Sequence, residues 1–95
     1  MPTASPAVTV SLSARDSKFE PLVIQVAPGT PFAMDFTNTD SIPHNVTIQG
    51  TPTRLSGEIF SGPGDRLYVF PALTAGSYRF ICDVHPEMFG ELQVQ

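Results

Sequence analysis

The only cysteine of the 95-residue chain, Cys82, lies three residues before His85, one of only two histidines. Met88 follows after three more residues, so a thiol, an imidazole and a thioether are spaced along one short stretch, CDVHPEM. The other histidine, His44, stands far upstream in the stretch PHNV. Two imidazoles and a thiolate with a weak axial thioether are the ligand set of a blue-copper centre. The sequence therefore predicts a copper site, provided that the fold brings His44 to the 82–88 loop.

Zinc is the competing metal for such residues. Structural zinc prefers four Cys or His ligands, and a thioether is a poor partner for it, but adventitious zinc occupancy stays open. A second alternative needs no metal, since a lone buried cysteine is usually a small core residue and a lone histidine is more often structural. The combination favours a metal, because the ligand set uses both histidines and the only cysteine of the chain.

The elements that must position these residues are strands. Alternating or continuous apolar patterns bounded by turn residues predict short strands, at 8–13, 22–26, 31–37, 44–49, 57–60, 65–70, 76–83 and 89–94. This pattern predicts an all-β fold, a Greek-key antiparallel β-sandwich of about eight strands. Residues 51–56 are the one stretch in which we consider a brief helical turn. We expect residues 1–95 to form a single domain, with residues 1–6 as a flexible N-terminal tail.

Composition and charge exclude several function classes. The net charge of −4, from five basic and nine acidic residues, argues against nucleic-acid binding, which needs a basic face. No apolar run approaches the roughly 18 residues of a membrane span, so we expect no integral membrane span. The first residues, MPTASPAV, lack the basic and apolar regions of a signal peptide. A single cysteine cannot form an intramolecular disulfide.

The stretches CDVHPEM and PHNV, within a β pattern that begins at VTVSLS, resemble the cupredoxin family of plastocyanin-, amicyanin- and pseudoazurin-like proteins. The spacing from His85 to Met88 is similar to the short, amicyanin-type ligand loop. The resemblance implies one type 1 copper per chain, which cycles between Cu(II) and Cu(I). It also implies that His44, Cys82 and His85 are the equatorial ligands and that Met88 is the axial ligand.

The resemblance further implies residues that support these ligands. Asn45 is expected to tie the two ligand loops together and to support the thiolate by hydrogen bonding. Pro43 is expected to lie beside the site as the other neighbour of His44. Val84 stands where plastocyanin and amicyanin relatives commonly carry proline, so its N–H is free to point at the Cys82 sulfur. Such a bond would withdraw electron density from the thiolate and favour Cu(I).

The function that this resemblance implies is a one-electron carrier, not an enzyme, which exchanges electrons through the edge of His85. Ile42, Pro43 and Pro86 are candidates for an apolar rim around that edge. Catalytic copper sites need further histidines, and a binuclear copper centre needs a second cysteine; this chain has neither. The acidic residues Asp35, Asp40 and Glu87 are interpreted as solvated.

Three alternatives to a free electron carrier stay open. They are a copper storage or delivery protein, a cupredoxin domain cut from a larger redox protein, and a β-sandwich adhesion domain without copper. For a carrier we expect a monomer and transient docking with redox proteins, such as c-type cytochromes or copper or quinone oxidoreductases. The family's usual location implies an extracytoplasmic protein, in the periplasm or on the outer face of a membrane. We expect its signal or anchor to be absent from this chain.

Overall fold

The computed structural model describes residues 8–52 and 54–95, and the tail expected over residues 1–6 lies outside these ranges. Eleven strands are found in the described residues: β1 Val8–Arg15, β2 Lys18–Glu20, β3 Val23–Val26, β4 Phe32–Asn38, β5 Pro43–His44, β6 Thr47–Gln49, β7 Leu55–Ser56, β8 Phe60–Ser61, β9 Gly64–Phe70, β10 Gly76–Ile81 and β11 Phe89–Val94. Across the same ranges, no helix has the length and apolarity needed to cross a membrane.

The strands form two main sheets, which confirms the predicted all-β sandwich. The first sheet has the order β2-β1-β4-β9, the second has the order β3-β11-β10-β6-β7, and β5 pairs with β8 as a separate ribbon. Two neighbouring pairs are parallel, β1 with β4 and β3 with β11, and the expectation of an antiparallel sandwich did not include them. The chain leaves the first sheet after β2, adds β3 to the second sheet, and returns as β4 beside β1. Parallel strands need such a crossover.

The structure divides the chain more finely than the sequence pattern does. The predicted strand over 44–49 is two strands, β5 and β6, interrupted at Asn45 and Val46, which are both fully buried. The helical turn considered for 51–56 is wrong at its end, because Leu55–Ser56 form β7 and pair with β6; Thr53 lies outside the described residues. The pattern also missed β2, whose three residues are too few to show a clear alternation.

The core between the sheets is rich in aromatic rings. Phe36 of β4 is fully buried, with Phe19 and Phe60 edge-on to it at centroid distances of 6.2 and 5.9 Å. Tyr68 of β9 stacks on Phe36 at 5.7 Å and donates a hydrogen bond from its hydroxyl to the Glu58 carbonyl. Each such ring pair adds about 0.5–1.5 kcal/mol beyond the burial of its area. Phe19 of β2 also packs edge-on against Phe80 of β10 at 5.1 Å, and this ring pair joins the first sheet to the second.

Strand register decides which loops meet at that end. The parallel register of β1 and β4 pairs Ala14 with Asn38, so the β1–β2 turn lies beside the loop that follows β4. In the second sheet, Ile81 of β10 is opposite Thr47 of β6 in an antiparallel pair. Continuing that register brings the segment after Ile81 alongside the segment before Thr47. The two segments that carry Cys82 and His44 are thereby adjacent.

We predict that Gly62→Ala destabilises the fold more than Gly64→Ala. A Cβ at Gly62 would collide with the backbone carbonyls of Asn38 and Asp40, whereas a Cβ at Gly64 would meet only the Phe60 ring at an ordinary 3.7 Å. Relieving the collision requires the backbone after β4 to shift, and overpacking of this kind costs about 1–3 kcal/mol. Urea unfolding of the two metal-free variants measures the difference. Equal urea midpoints of the two variants would show that the backbone at residues 38–40 shifts at little cost to make room for the added methyl group.

Candidate metal centre

Three of the four residues predicted as metal ligands come together at the end of the sandwich. The Cys82 sulfur lies 3.6 Å from Nδ1 of His44 and 3.9 Å from Nδ1 of His85. The two imidazole rings are edge-on, with centroids 5.0 Å apart. The potential donor atoms of the three residues all lie within 4.8 Å of one another. His44 and Cys82 are fully buried, and His85 is partly exposed.

These separations fit three ligands around one ion. With metal–nitrogen bonds of about 2.1 Å and metal–sulfur bonds of about 2.3 Å, ligands at about 120° place nitrogen and sulfur about 3.8 Å apart. The two observed nitrogen–sulfur distances, 3.6 and 3.9 Å, bracket that value. One soft thiolate and two imidazoles are the donor set suited to copper. The cluster therefore needs little rearrangement to hold a copper ion.

Met88 ends the loop that carries Cys82 and His85. Its side chain is 3 % exposed and belongs to the buried core cluster that also contains Cys82. Three backbone hydrogen bonds close the loop: Cys82 N–H donates to the Met88 carbonyl, Met88 N–H to the His85 carbonyl, and His85 N–H to the Cys82 carbonyl. Residues 82–88 thus form a compact loop that is closed by its own backbone hydrogen bonds. The loop directs Cys82 and Met88 into the core and leaves Val84, Pro86 and Glu87 exposed.

The second ring nitrogen of His44, Nε2, contacts a carboxylate on the opposite side of the ring from Cys82. The Nε2 atom is 2.8 Å from Oδ2 of Asp40, and the Nδ1 atom is on the side of the ring that faces Cys82. The backbone N–H of Ser17 lowers the pKa of Asp40 most; burial opposes the shift, and the bonds from His44 and Asp16 lower the pKa further. Asp40 is therefore an ionised acceptor for His44 at neutral pH. The interpretation of Asp40 as a merely solvated residue was wrong.

A polar network joins the His44 segment to the Cys82 segment. Asp83 N–H donates to Oδ1 of Asn45 at 2.8 Å, and Nδ2 of Asn45 donates to the Asp83 carboxylate at 3.0 Å. The same carboxylate accepts bonds from Thr47, Ser56 and Arg54. Burial alone would raise the pKa of Asp83, but the bonds from Asn45 and Thr47 and the charge of Arg54 outweigh burial and lower it. Asn45 thus ties the two ligand segments together.

The two other predicted supporting residues differ in their placement. Pro43 is partly buried in β5, beside His44, and pairs with Ser61 of β8. Val84 is 40 % exposed, and the hydrogen bonds of the Cys82 sulfur among the described residues are those with His44 and His85. The expected bond from the Val84 N–H to this sulfur is not among them. The contacts of Asn45 likewise go to Asp83 and the β7 segment rather than to the sulfur.

Sequence reasoning missed two residues that the structure places at the site, Asp40 and Asp83. Asp83 directly follows Cys82, and Asp40 stands four residues before His44 in a polar loop. An acidic residue so close to a ligand histidine is a weak signal, because loop carboxylates are usually solvated. Only the contact of Asp40 with the distant β1–β2 turn reveals its role.

The chain matches a family model, the Cupredoxin-like domain, over residues 2–94. Among curated proteins it is similar to amicyanin-alpha of Methylorubrum extorquens, with 28 % identity over 94 residues. That alignment covers 96 % of this chain and 76 % of amicyanin-alpha.

Solved structures share the fold. Auracyanin B superposes with a TM-score of 0.84 at 19 % identity. The superposition covers 98 % of this chain and 92 % of the auracyanin B chain. Auracyanin A, described as a blue copper protein of Chloroflexus aurantiacus, gives 0.80 at 18 % identity, with coverages of 96 % and 100 %. A reduced Cu(I) form of amicyanin gives 0.72 at 21 % identity, with coverages of 97 % and 86 %.

We predict that Asn45→Ala destabilises the metal-free protein by about 2 kcal/mol. The substitution leaves the Asp83 N–H without its acceptor and removes donors to the Asp83 carboxylate and to the Gly57 carbonyl. Urea unfolding measures the loss. Ser56→Ala is the matched control, because it removes a hydroxyl from the same network without breaking the link between the ligand segments. A control that loses as much as Asn45→Ala would contradict the role given to Asn45.

Proposed function

The chain belongs to the cupredoxin-like family, and from that premise we propose that it is a single-domain, one-electron carrier with one type 1 copper. His44, Cys82 and His85 would be the equatorial ligands, and Met88 the axial ligand. The observation that carries this proposal is the convergence of two imidazole Nδ1 atoms on one buried sulfur, at 3.6 and 3.9 Å. Copper held there would accept and release one electron as Cu(II) and Cu(I).

The protein's contribution is to hold the ligands still. The self-bonded 82–88 loop, the Asn45–Asp83 link and the bond from His44 to Asp40 each limit movement of one ligand. Full burial of His44 and Cys82 excludes water from two of the ligands. A site that cannot relax after a change of charge loses little energy to rearrangement during electron transfer, and this rigidity supports a carrier role.

The same features argue against two other functions, those of a copper enzyme and of a copper-delivery protein. Within the described ranges, one cluster of three or more potential ligands is found, and it contains both histidines of the chain. No histidine remains for a separate catalytic copper, which supports the proposal that the protein is not an enzyme. Copper delivery requires ligands that an acceptor reaches easily, whereas two of the three clustered donors are fully buried.

We place electron exchange at His85, the one partly exposed residue of the cluster. The exposed residues Val84 and Pro86 flank it in the chain. Ile42 and Ile59, exposed by 41 % and 50 %, lie just before the two strands that pair at His44 and Phe60. An apolar rim of this kind desolvates easily and supports brief docking with a redox partner. Extracytoplasmic redox proteins, such as c-type cytochromes or copper or quinone oxidoreductases, are the partners that we propose.

We predict that one equivalent of Cu(II) added to the metal-free protein gives an intense blue band and an EPR spectrum with narrow copper hyperfine splitting. Both signals require the Cys82 thiolate, so Cys82→Ala abolishes them. Visible absorption and EPR on the same samples make the measurement. Asp35→Asn is the control, because it changes a charge on β4 away from the cluster and leaves both signals intact.

A colourless, weakly bound copper in the wild-type protein would overturn the type 1 assignment. Storage or delivery predicts a different kinetic result, in which a chelator or an acceptor removes the copper within the time of a few redox cycles. A carrier loses the blue band on each reduction and recovers it in full on each reoxidation, even in the presence of that chelator. Zinc bound in place of copper gives neither signal.

We predict that Ile42→Glu slows electron self-exchange between the Cu(I) and Cu(II) forms by at least about tenfold. Two copies that dock through the His85 face would bring their new carboxylates together, and the repulsion opposes the encounter. NMR line broadening in mixtures of the two forms measures the rate. Leu67→Glu, at a side chain of β9 that is 62 % exposed, is the matched control. Equal slowing by both variants would contradict exchange at the His85 face.

A further inference from the structure

The Asp40 carboxylate lies between the β1–β2 turn and His44, and it receives three hydrogen bonds. Its Oδ1 accepts from the Asp16 N–H at 2.9 Å, and its Oδ2 accepts from the Ser17 N–H at 3.0 Å and from His44 Nε2 at 2.8 Å. Its side chain is 15 % exposed, and that of His44 is 0 % exposed. The carboxylate therefore has donors on both of its oxygens.

The turn is built to receive an anion. Asp16 and Ser17 form a two-residue hairpin loop, and both have positive φ, 52° and 57°. Such a pair closes a hairpin as a type I′ turn, a conformation that side chains rarely adopt. Successive N–H groups in turns of this kind form a concavity that binds anions. Here the anion is the Asp40 carboxylate, which comes from 23 residues further along the chain.

The loop that carries Asp40 is fixed from several sides. Thr39 donates from both its N–H and its hydroxyl to the Ala14 carbonyl, next to the turn. Asn38 accepts the Asp40 N–H at its side-chain oxygen, and Gly62 N–H donates to the Asp40 carbonyl. The carboxylate is thus anchored by its backbone as well as by its oxygens. The anchored carboxylate in turn contacts Nε2 of the fully buried His44.

We propose that Asp40, clamped by the β1–β2 turn, is the positioning residue that fixes His44 in the Nε2–H tautomer. A histidine that donates from Nε2 keeps Nδ1 unprotonated, and Nδ1 is the atom that faces the Cys82 sulfur. The opposite tautomer would direct a proton at the metal position. The turn, although it supplies no ligand, therefore controls whether the buried histidine is able to bind a metal. This inference deepens the proposed copper site and rests on it for the affinity measurement below.

Asp40→Leu tests the proposal. Leucine has a similar volume but no acceptor, so Nε2 of His44 loses the group that accepts its proton. A buried N–H without a partner is costly, so the proton moves to Nδ1, where the Cys82 sulfur lies 3.6 Å away. We expect nitrogen-15 NMR of the metal-free protein to show Nε2–H in the wild type and loss of that tautomer in the variant. Loss of a partner that orients a ligand histidine typically weakens metal binding by about 10–100-fold.

Two controls separate positioning from charge and from turn stability. Glu87→Gln removes one negative charge at an exposed position of the ligand loop, and it should leave the His44 tautomer unchanged. The double substitution Asp16→Asn with Ser17→Gly keeps both backbone N–H groups and favours the type I′ turn. It should preserve the tautomer and hold Cu(II) affinity, measured by chelator competition, within about twofold of the wild type.

The tautomer measurement tests this inference separately from the copper assignment. The tautomer of wild-type His44 is measured without metal, so a wild-type protein with Nδ1–H overturns the inference even if Asp40→Leu does not fold. Retention of the Nε2–H tautomer in Asp40→Leu, with an unchanged Cu(II) affinity, overturns it as well. A wild-type protein with Nε2–H that binds no copper would sink the proposed function but leave the positioning role of Asp40 standing.

Discussion

The link between Asn45 and Asp83 is the contact on which the metal centre depends. It joins two segments 38 residues apart in the chain, each immediately after a predicted ligand. The Asn45 amide accepts the Asp83 N–H and donates to the Asp83 carboxylate, so both of its polar ends are used. An amide that bonds at both ends fixes both the distance and the relative rotation of the segments. The nitrogen–sulfur spacing of His44 and Cys82 follows from this constraint.

Two carboxylates flank the centre without disturbing its donor atoms. Asp83 is surrounded by donors from Asn45, Thr47, Ser56 and Arg54, and Asp40 by the turn amides and His44. Both carboxylates are partly withdrawn from water, which is costly unless hydrogen bonds compensate for the lost hydration. Among the described residues, no buried side-chain nitrogen or oxygen lacks a partner. Both carboxylates therefore accept hydrogen bonds from groups around the site, and neither belongs to the cluster of potential metal ligands.

The aromatic core and the loops are stabilised by different interactions. Phe36, Tyr68 and Phe60 pack against one another in the core, and the contact of Phe19 with Phe80 joins the first sheet to the second. The loops at the site contribute Cys82 and Met88 to the core, and backbone hydrogen bonds and the close packing at Gly62 also hold them. A chain of this size buries only a modest core, and each loop must be fixed locally. Rigidity at the metal centre is accordingly a property of the polar network as much as of the core.

Much of the fold and the donor set could be predicted from the sequence, because both depend on local patterns. Apolar alternation marks strands such as Phe32–Asn38, and the spacing of Cys82, His85 and Met88 on one short loop needs no distant partner to be noticed. The sequence pattern missed two short strands, Lys18–Glu20 and Leu55–Ser56. These residues are strands only because neighbouring strands pair with them. Their residues carry too little periodicity to be recognised alone.

What only the tertiary structure decided is which distant groups meet. The parallel pairing of β1 with β4 brings the Asp16–Ser17 turn to Asp40, and a register that pairs Ile81 with Thr47 brings Asp83 to Asn45. A local pattern carries no information about strand order or register, because these are set by the packing of both sheets together. For that reason Asp40 looked like an ordinary loop carboxylate in the sequence. The types of the potential ligands are visible in the sequence, whereas the distances between them depend on the fold.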